Sequence, residues 1–167
     1  MKMAIEASSA TEPVIVMTRI FDAPRDVVWL AFTDPKHVVR WYGGRGFSSP
    51  RCEMDVRPGG LWRHTMRTPD GSEHPLEFIY VEVVKPEKLV WQNVDHGKRT
   101  SGPPTCCNTI TLEEHGKQTK WKLVARFNTI ADRDLAARSG FTNIITQGSE
   151  RLEAVAQELS RGAATSS

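Results

Sequence analysis

What most restricts the fold of this chain is its last long segment. Beyond Gly140, the residues Phe141, Ile144, Ile145, Gly148, Leu152, Val155, Ala156 and Leu159 fall on one stripe of a helix, while Asn143, Glu150, Arg151, Glu153 and Glu158 fall largely away from it. A helix with so long an apolar face has to cover something, and what precedes it reads as strand after strand. The chain is therefore of the α+β class, with the helix closing over a sheet. Each large member of the stripe is worth roughly 1.5 to 3 kcal/mol when fully buried, so the domain should not survive loss of this helix. Gly148 lies inside the stripe at a cost of about 1 kcal/mol against alanine, which implies a close backbone approach or room left for something else.

The strands announce themselves by composition and alternation. Val14 to Phe21 is a β-branched and apolar run that Pro24 stops. Pro24 also suits the first position of a short helix, with Asp26 in its first turn and Val28, Ala31 and Phe32 on its apolar edge. Asp34 can cap a second short helix that begins at Pro35 and is pinned by Val38, Val39 and Trp41 before Gly43-Gly44 releases the chain. From Arg51 onward period-two alternation takes over, with Cys52, Met54 and Val56 on one face. After the turn Arg57-Pro58-Gly59-Gly60, Trp62, His64 and Met66 share a face, and Pro69-Asp70-Gly71-Ser72 closes a hairpin into the strand Leu76 to Val84. Pro86-Glu87-Lys88 turns into Leu89 to Gln92. Asn93 to Thr105 then loses all periodicity and reads as a mobile loop carrying Lys98 and Arg99. Two last strands follow: Asn108, Ile110 and Leu112 alternate on one, and Trp121, Leu123, Ala125 and Phe127 on the other.

Composition bounds what such a shell is for. With 167 residues, 39% of them hydrophobic, there is material for one sizeable core. The expected organisation is a flexible amino terminus over residues 1–12, a single domain over 13–160 and a flexible tail over 161–167. A formal net charge of +2, with basic and acidic residues interspersed, gives no footprint for nucleic acid or an acidic membrane. Glu6, Ser8, Ser9 and Thr11 interrupt what would be the apolar core of a secretory signal, so a cytoplasmic location is expected. Cys52, Cys106 and Cys107 cannot all pair within one chain, which predicts thiols rather than disulfides.

The order and spacing of several short motifs resemble a known family. These are Phe21-Asp22-Ala23-Pro24, Val28-Trp29, Thr33-Asp34-Pro35, Trp41, Asp55-Val56-Arg57-Pro58-Gly59-Gly60, Asp70-Gly71, Glu82-Val83-Val84 and Glu87-Lys88-Leu89-Val90. Together they look like the family named for the carboxy-terminal domain of the heat-shock-protein-90 ATPase activator, over nearly all of Val14 to Leu159. The resemblance implies the helix-grip fold of the START-like (SRPBCC, Bet v-like) superfamily. In that fold a curved antiparallel sheet wraps a long carboxy-terminal helix, two short helices follow the first strand, and a cavity lies between helix and sheet. It also implies a small hydrophobic or aromatic ligand, a stress-related role, a chaperone contact as one alternative, and a homodimer as relatives form. Two positions depart from the pattern: His64 stands where an apolar or aromatic residue is usual, and Phe141-Thr142-Asn143-Ile144-Ile145 stands where relatives often place tryptophans.

The inward faces then nominate a ligand-binding set: Trp62, His64, Met66, Phe78, Tyr80 and Trp91 from the middle strands, Asn108, Ile110 and Trp121 from the last two, and Phe141, Ile144 and Ile145 from the closing helix. Trp62 and Trp91 can either line an open pocket or fill a core. An inward His64 needs a hydrogen-bond partner, since leaving it without one costs on the order of 1 to 3 kcal/mol. Tyr80 and Glu82, on one face of their strand, are candidates, with Asn93 and Asn108 as others. His64 can be a satisfied structural histidine, a group that orients a ligand carbonyl or hydroxyl with Tyr80, or an acid or base in a small cyclase-, dehydratase- or hydrolase-like cavity enzyme with Tyr80 and Glu82. His37, His64, His74, His96 and His115 lack ligand spacing, so neither a metal nor a cofactor is expected. Arg57-Pro58-Gly59-Gly60 lacks the strand and helix context of a phosphate loop and reads as a turn. Lys98 and Arg99 could meet an anionic guest at the cavity mouth.

Overall fold

The alternating segments pair into one antiparallel sheet, and its strand order explains why the chain needs a covering helix. A computed structural model describes residues 4–6, 11–94 and 104–165, with side chains to residue 162. The strands are β1 (Ala4–Glu6), β2 (Val14–Phe21), β3 (Ser48–Met54), β4 (Leu61–Arg67), β5 (Glu73–Val84), β6 (Lys88–Asn93), β7 (Cys106–His115) and β8 (Gln118–Phe127). The helices are α1 (Arg25–Thr33), α2 (Pro35–Trp41), α3 (Ile130–Arg138) and α4 (Phe141–Thr165). The sheet runs β1-β2-β8-β7-β6-β5-β4-β3, so the chain's first long strand sits beside its last and the meander β3 to β8 sweeps around from there. One face of that curved sheet carries the core: Ile15, Met17 and Phe21 of β2, Leu89 of β6, Ile110 of β7 and Ala125 of β8 are completely buried.

The helical pair forms as its sequence dictates. The Asp34 side chain accepts a hydrogen bond from the Lys36 amide at 3.1 Å, and Pro35 opens α2. In α1 Pro24 takes the cap position, one residue before the first helical turn, with Asp26 inside that turn. Val28, Trp29, Ala31 and Phe32 are the buried face of α1, and the Trp41 indole donates to the Ala31 carbonyl at 2.8 Å, tying the two helices together.

Several elements differ from the sequence expectation. β1 pairs antiparallel with β2, placing Ala4 opposite Thr18, inside the stretch expected to be a flexible terminus. β5 begins at Glu73 rather than Leu76 and accommodates Pro75, because only β4 pairs with it there and pairing with β6 starts at Phe78. α3 has no sequence signal: Ile130 and Leu135 are exposed, so no apolar stripe marks it, and its start is set by the Thr129 hydroxyl accepting from the Asp132 amide. α4 runs on to Thr165, beyond the Arg161 boundary. Of the irregular segment expected from Asn93 to Thr105, residues 95–103, with Lys98 and Arg99, lie outside the described residues.

α4 packs closest on α1 and α2 and stands off from the sheet. Its middle is fixed to the chain leaving α2. A Cβ on Gly148 would meet the Gly43 carbonyl oxygen at 3.2 Å and that of Trp41 at 3.5 Å, so this glycine marks a close backbone approach. One turn on, the Arg151 guanidinium donates to the carbonyls of Arg40 at 2.9 Å and Gly44 at 3.0 Å, with longer contacts to Tyr42 and Gly43. The Arg40 and Tyr42 carbonyls lie at the end of α2, where intrahelical donors run out, and the Gly44 carbonyl also accepts from the Phe47 amide at 3.1 Å. No helix among the described residues is long and apolar enough to cross a membrane.

Candidate functional site

Where α4 stands off the sheet, a cavity of about 230 Å³ remains, partly open to the outside. Its roof is the first half of α4, from Phe141 through Ile144, Ile145 and Gly148 to Leu152. Its walls are largely aromatic. Phe32 and Trp41 pack with centroids 4.8 Å apart, Tyr42 meets Trp62 edge-on at 5.7 Å, and Trp62 lies 4.8 Å from Phe78 and 5.8 Å from Trp91. No charged side chain is among the described residues that line it.

Most of the expected ligand-binding set meets here. Trp62, Met66, Phe78, Trp91, Asn108, Ile110, Trp121, Phe141, Ile144 and Ile145 all line the cavity. The readings that placed His64, Tyr80 and Glu82 together do not hold geometrically. Tyr80 pairs with Trp91 but Glu82 pairs with Val90, so one extra residue, Val81, is accommodated between them as a bulge. A bulge breaks the alternation on which a shared face depends. Glu82 is thereby turned outward, exposed and 3.2 Å from Lys88. Tyr80 lies behind Trp62, stacked on it at 6.2 Å and 1% exposed, and its buried hydroxyl has no hydrogen-bond partner among the described residues. Burial pushes that phenol's pKa upward, so it stays neutral.

His64 is also behind the wall, 2% exposed, and its partners are not the expected ones. The Trp62 indole N–H points at Nδ1 at 3.3 Å, and Nε2 lies 2.8 Å from the Ser49 hydroxyl. A serine so close to an imidazole has the spacing of a nucleophile and its base. The tautomer argues otherwise: an N–H aimed at Nδ1 requires a lone pair there, which puts the proton on Nε2 and makes the imidazole the donor to Ser49. Burial lowers the His64 pKa to about 4, and Tyr42 covers the ring at 4.2 Å between centroids. His64 thus acts as a satisfied post between β3 and β4. Ser49 escaped the sequence reading because β3 begins at Ser48, ahead of the Arg51 where alternation becomes visible, with a register shift between.

Two groups of cavity residues had little or no signal as liners. Phe32, Trp41, Tyr42 and Gly43 come from the helical pair, whose sequence pattern shows only that it packs. Asn93 and Cys106 come from the strand ends flanking the irregular segment. The Asn93 Oδ1 accepts from the Cys106 amide at 3.1 Å, and the Cys106 thiol lies 3.5 Å from the Asn108 Oδ1. Beneath the roof, Ser149 donates to the Thr146 carbonyl at 2.7 Å and accepts from Arg19 at 3.3 Å, and Arg19 makes an ion pair of 2.7 Å with Glu153.

A long carboxy-terminal helix held by a curved antiparallel sheet, with an apolar cavity between the two, defines a protein of the helix-grip class. Residues 22–157 match the family described as Activator of Hsp90 ATPase homolog 1-like protein, and the chain belongs to that family. Solved structures share the fold. A protein from Nitrosomonas europaea is 24% identical, with a TM-score of 0.81 over 90% of this chain and 97% of that one. Another from Arthrobacter aurescens is 19% identical, with a TM-score of 0.82 over 93% and 91%. A third from Rhodobacter sphaeroides is 21% identical, with a TM-score of 0.81 over 95% and 99%. At these identities the likeness is one of fold. No curated protein gives a significant sequence match to the chain.

Proposed function

We propose that this protein binds a small, neutral, hydrophobic or aromatic molecule between α4 and the sheet. The observation that carries the reading is the aromatic-walled cavity of about 230 Å³. An apolar cavity of about 150 Å³ takes benzene, so this one suits a single ring with a short substituent rather than a sterol or a full acyl chain. The absence of charge among the described lining residues supports a neutral guest, because an unpaired buried charge is far more costly than an apolar contact. The test is binding of α-methylstyrene, a ring with a compact apolar substituent, followed by calorimetry or by amide shifts of the lining residues. Saturable one-to-one binding is expected, and Ile145→Trp should abolish it by filling the space while leaving the fold intact. No binding, or binding that Ile145→Trp leaves unchanged, would remove the reading.

A further inference from the structure

The polar atoms of the cavity wall are unevenly used. Both carboxamide oxygens are occupied within the wall, Asn93 Oδ1 by the Cys106 amide and Asn108 Oδ1 by the Cys106 thiol. Neither Nδ2 has a hydrogen-bond partner among the described residues, although Asn108 is only 7% exposed and both residues line the cavity. Both nitrogens keep some accessible surface, on residues that line the cavity. The other polar side chains at the wall do not change this balance. The Ser149 hydroxyl already donates to Thr146 and accepts from Arg19. The Tyr42 phenol, kept protonated by burial and then by its proximity to the Cys106 and Cys52 thiols, adds an O–H donor to the wall.

The geometry points to selectivity for guests that carry a neutral hydrogen-bond acceptor of the carbonyl type, oriented by the amide N–H groups of Asn93 and Asn108. This rests on the cavity being a binding site. A guest hydroxyl meets oxygens that each already accept one hydrogen bond, while the amide N–H groups are left for an acceptor, and a carboxylate finds no cation among the described lining residues. A ketone, aldehyde or lactone on a small ring brings the acceptor that these donors lack and carries no donor of its own to leave unpaired.

Acetophenone and α-methylstyrene test this, because they share a shape and differ in whether the branch ends in an oxygen. Water holds the ketone back, so a purely apolar cavity would favour the hydrocarbon. Wild-type protein is expected to bind acetophenone about tenfold more tightly than α-methylstyrene, and Asn93→Leu combined with Asn108→Leu should erase or reverse that preference. The carbonyl stretch of acetophenone bound to the wild type should lie at lower frequency than in hexane. That measurement decides the matter even if the leucine variant fails to fold. Equal affinities, or a preference for the hydrocarbon with an unshifted carbonyl, would overturn the donor assignment and leave the cavity reading standing. Failure of both probes to bind would overturn the two together.

Discussion

His64 shows how a single side chain can be legible as a problem yet illegible as a solution. That an inward histidine on β4 needs partners follows from the strand pattern, which also puts Trp62 on its face; that the other partner is Ser49 depends on a register shift in β3 that no periodicity reveals. Its burial has a measurable consequence. A pKa lowered from 6.5 to about 4 means that between these values the unfolded chain holds a proton that the folded one does not. Stability must then be fully present above about pH 6.5, fall as the pH drops, and level off below about pH 4, a change of roughly 3 kcal/mol from this residue. Denaturant titrations at stepped pH should show that slope, and His64→Phe should flatten it. Arg19 and Glu153 make a second case. With the guanidinium almost wholly buried, Glu153→Gln should cost about 3 kcal/mol by stranding a charge, whereas Arg19→Leu with Glu153→Leu should cost much less, as equilibrium unfolding would measure.

Among the elements, those with one wet and one buried face were readable, and those that depend on a local irregularity were not. β2, β7 and β8 alternate cleanly and lie where expected. Val81 in β5 adds one residue, and everything beyond it changes face, which is why Glu82 left the site that Tyr80 was expected to share with it. α3 is set by its cap and by Arg133 reaching the Glu12 carbonyl at 2.9 Å, contacts that leave no apolar period. Gly148 in α4 was readable as a close approach, and it makes the prediction at this scale. Gly148→Ala should gain about 1 kcal/mol of helix propensity, yet its Cβ would press on the Gly43 carbonyl oxygen at 3.2 Å, in a segment that Arg151 fixes through the Arg40 and Gly44 carbonyls on either side. We expect a net loss of about 1 kcal/mol or more in thermal or denaturant unfolding, with Arg151→Met reducing the penalty of the alanine.

At the scale of the whole molecule, the sheet cannot close its own core, because the inward residues of β2, β6, β7 and β8 meet α1, α2 and α4 rather than a second sheet. A chain ending before Phe141 should therefore lose cooperative unfolding and bind a hydrophobic dye, as calorimetry and fluorescence would show. The family and the architecture were visible in the sequence because each depends on the order of many weak signals. The polar end of the cavity was only partly visible, since Asn108 showed its inward face but the pairing of Asn93 with Cys106 spans the irregular segment between β6 and β7. The anchorage of α4 at Gly148 and Arg151 has one more consequence. With the helix riveted at its middle, the chamber has little freedom to widen there. For the guest proposed above, a second ring fused to the first is therefore expected to weaken binding sharply, because the wall at Gly148 would have to move to admit it.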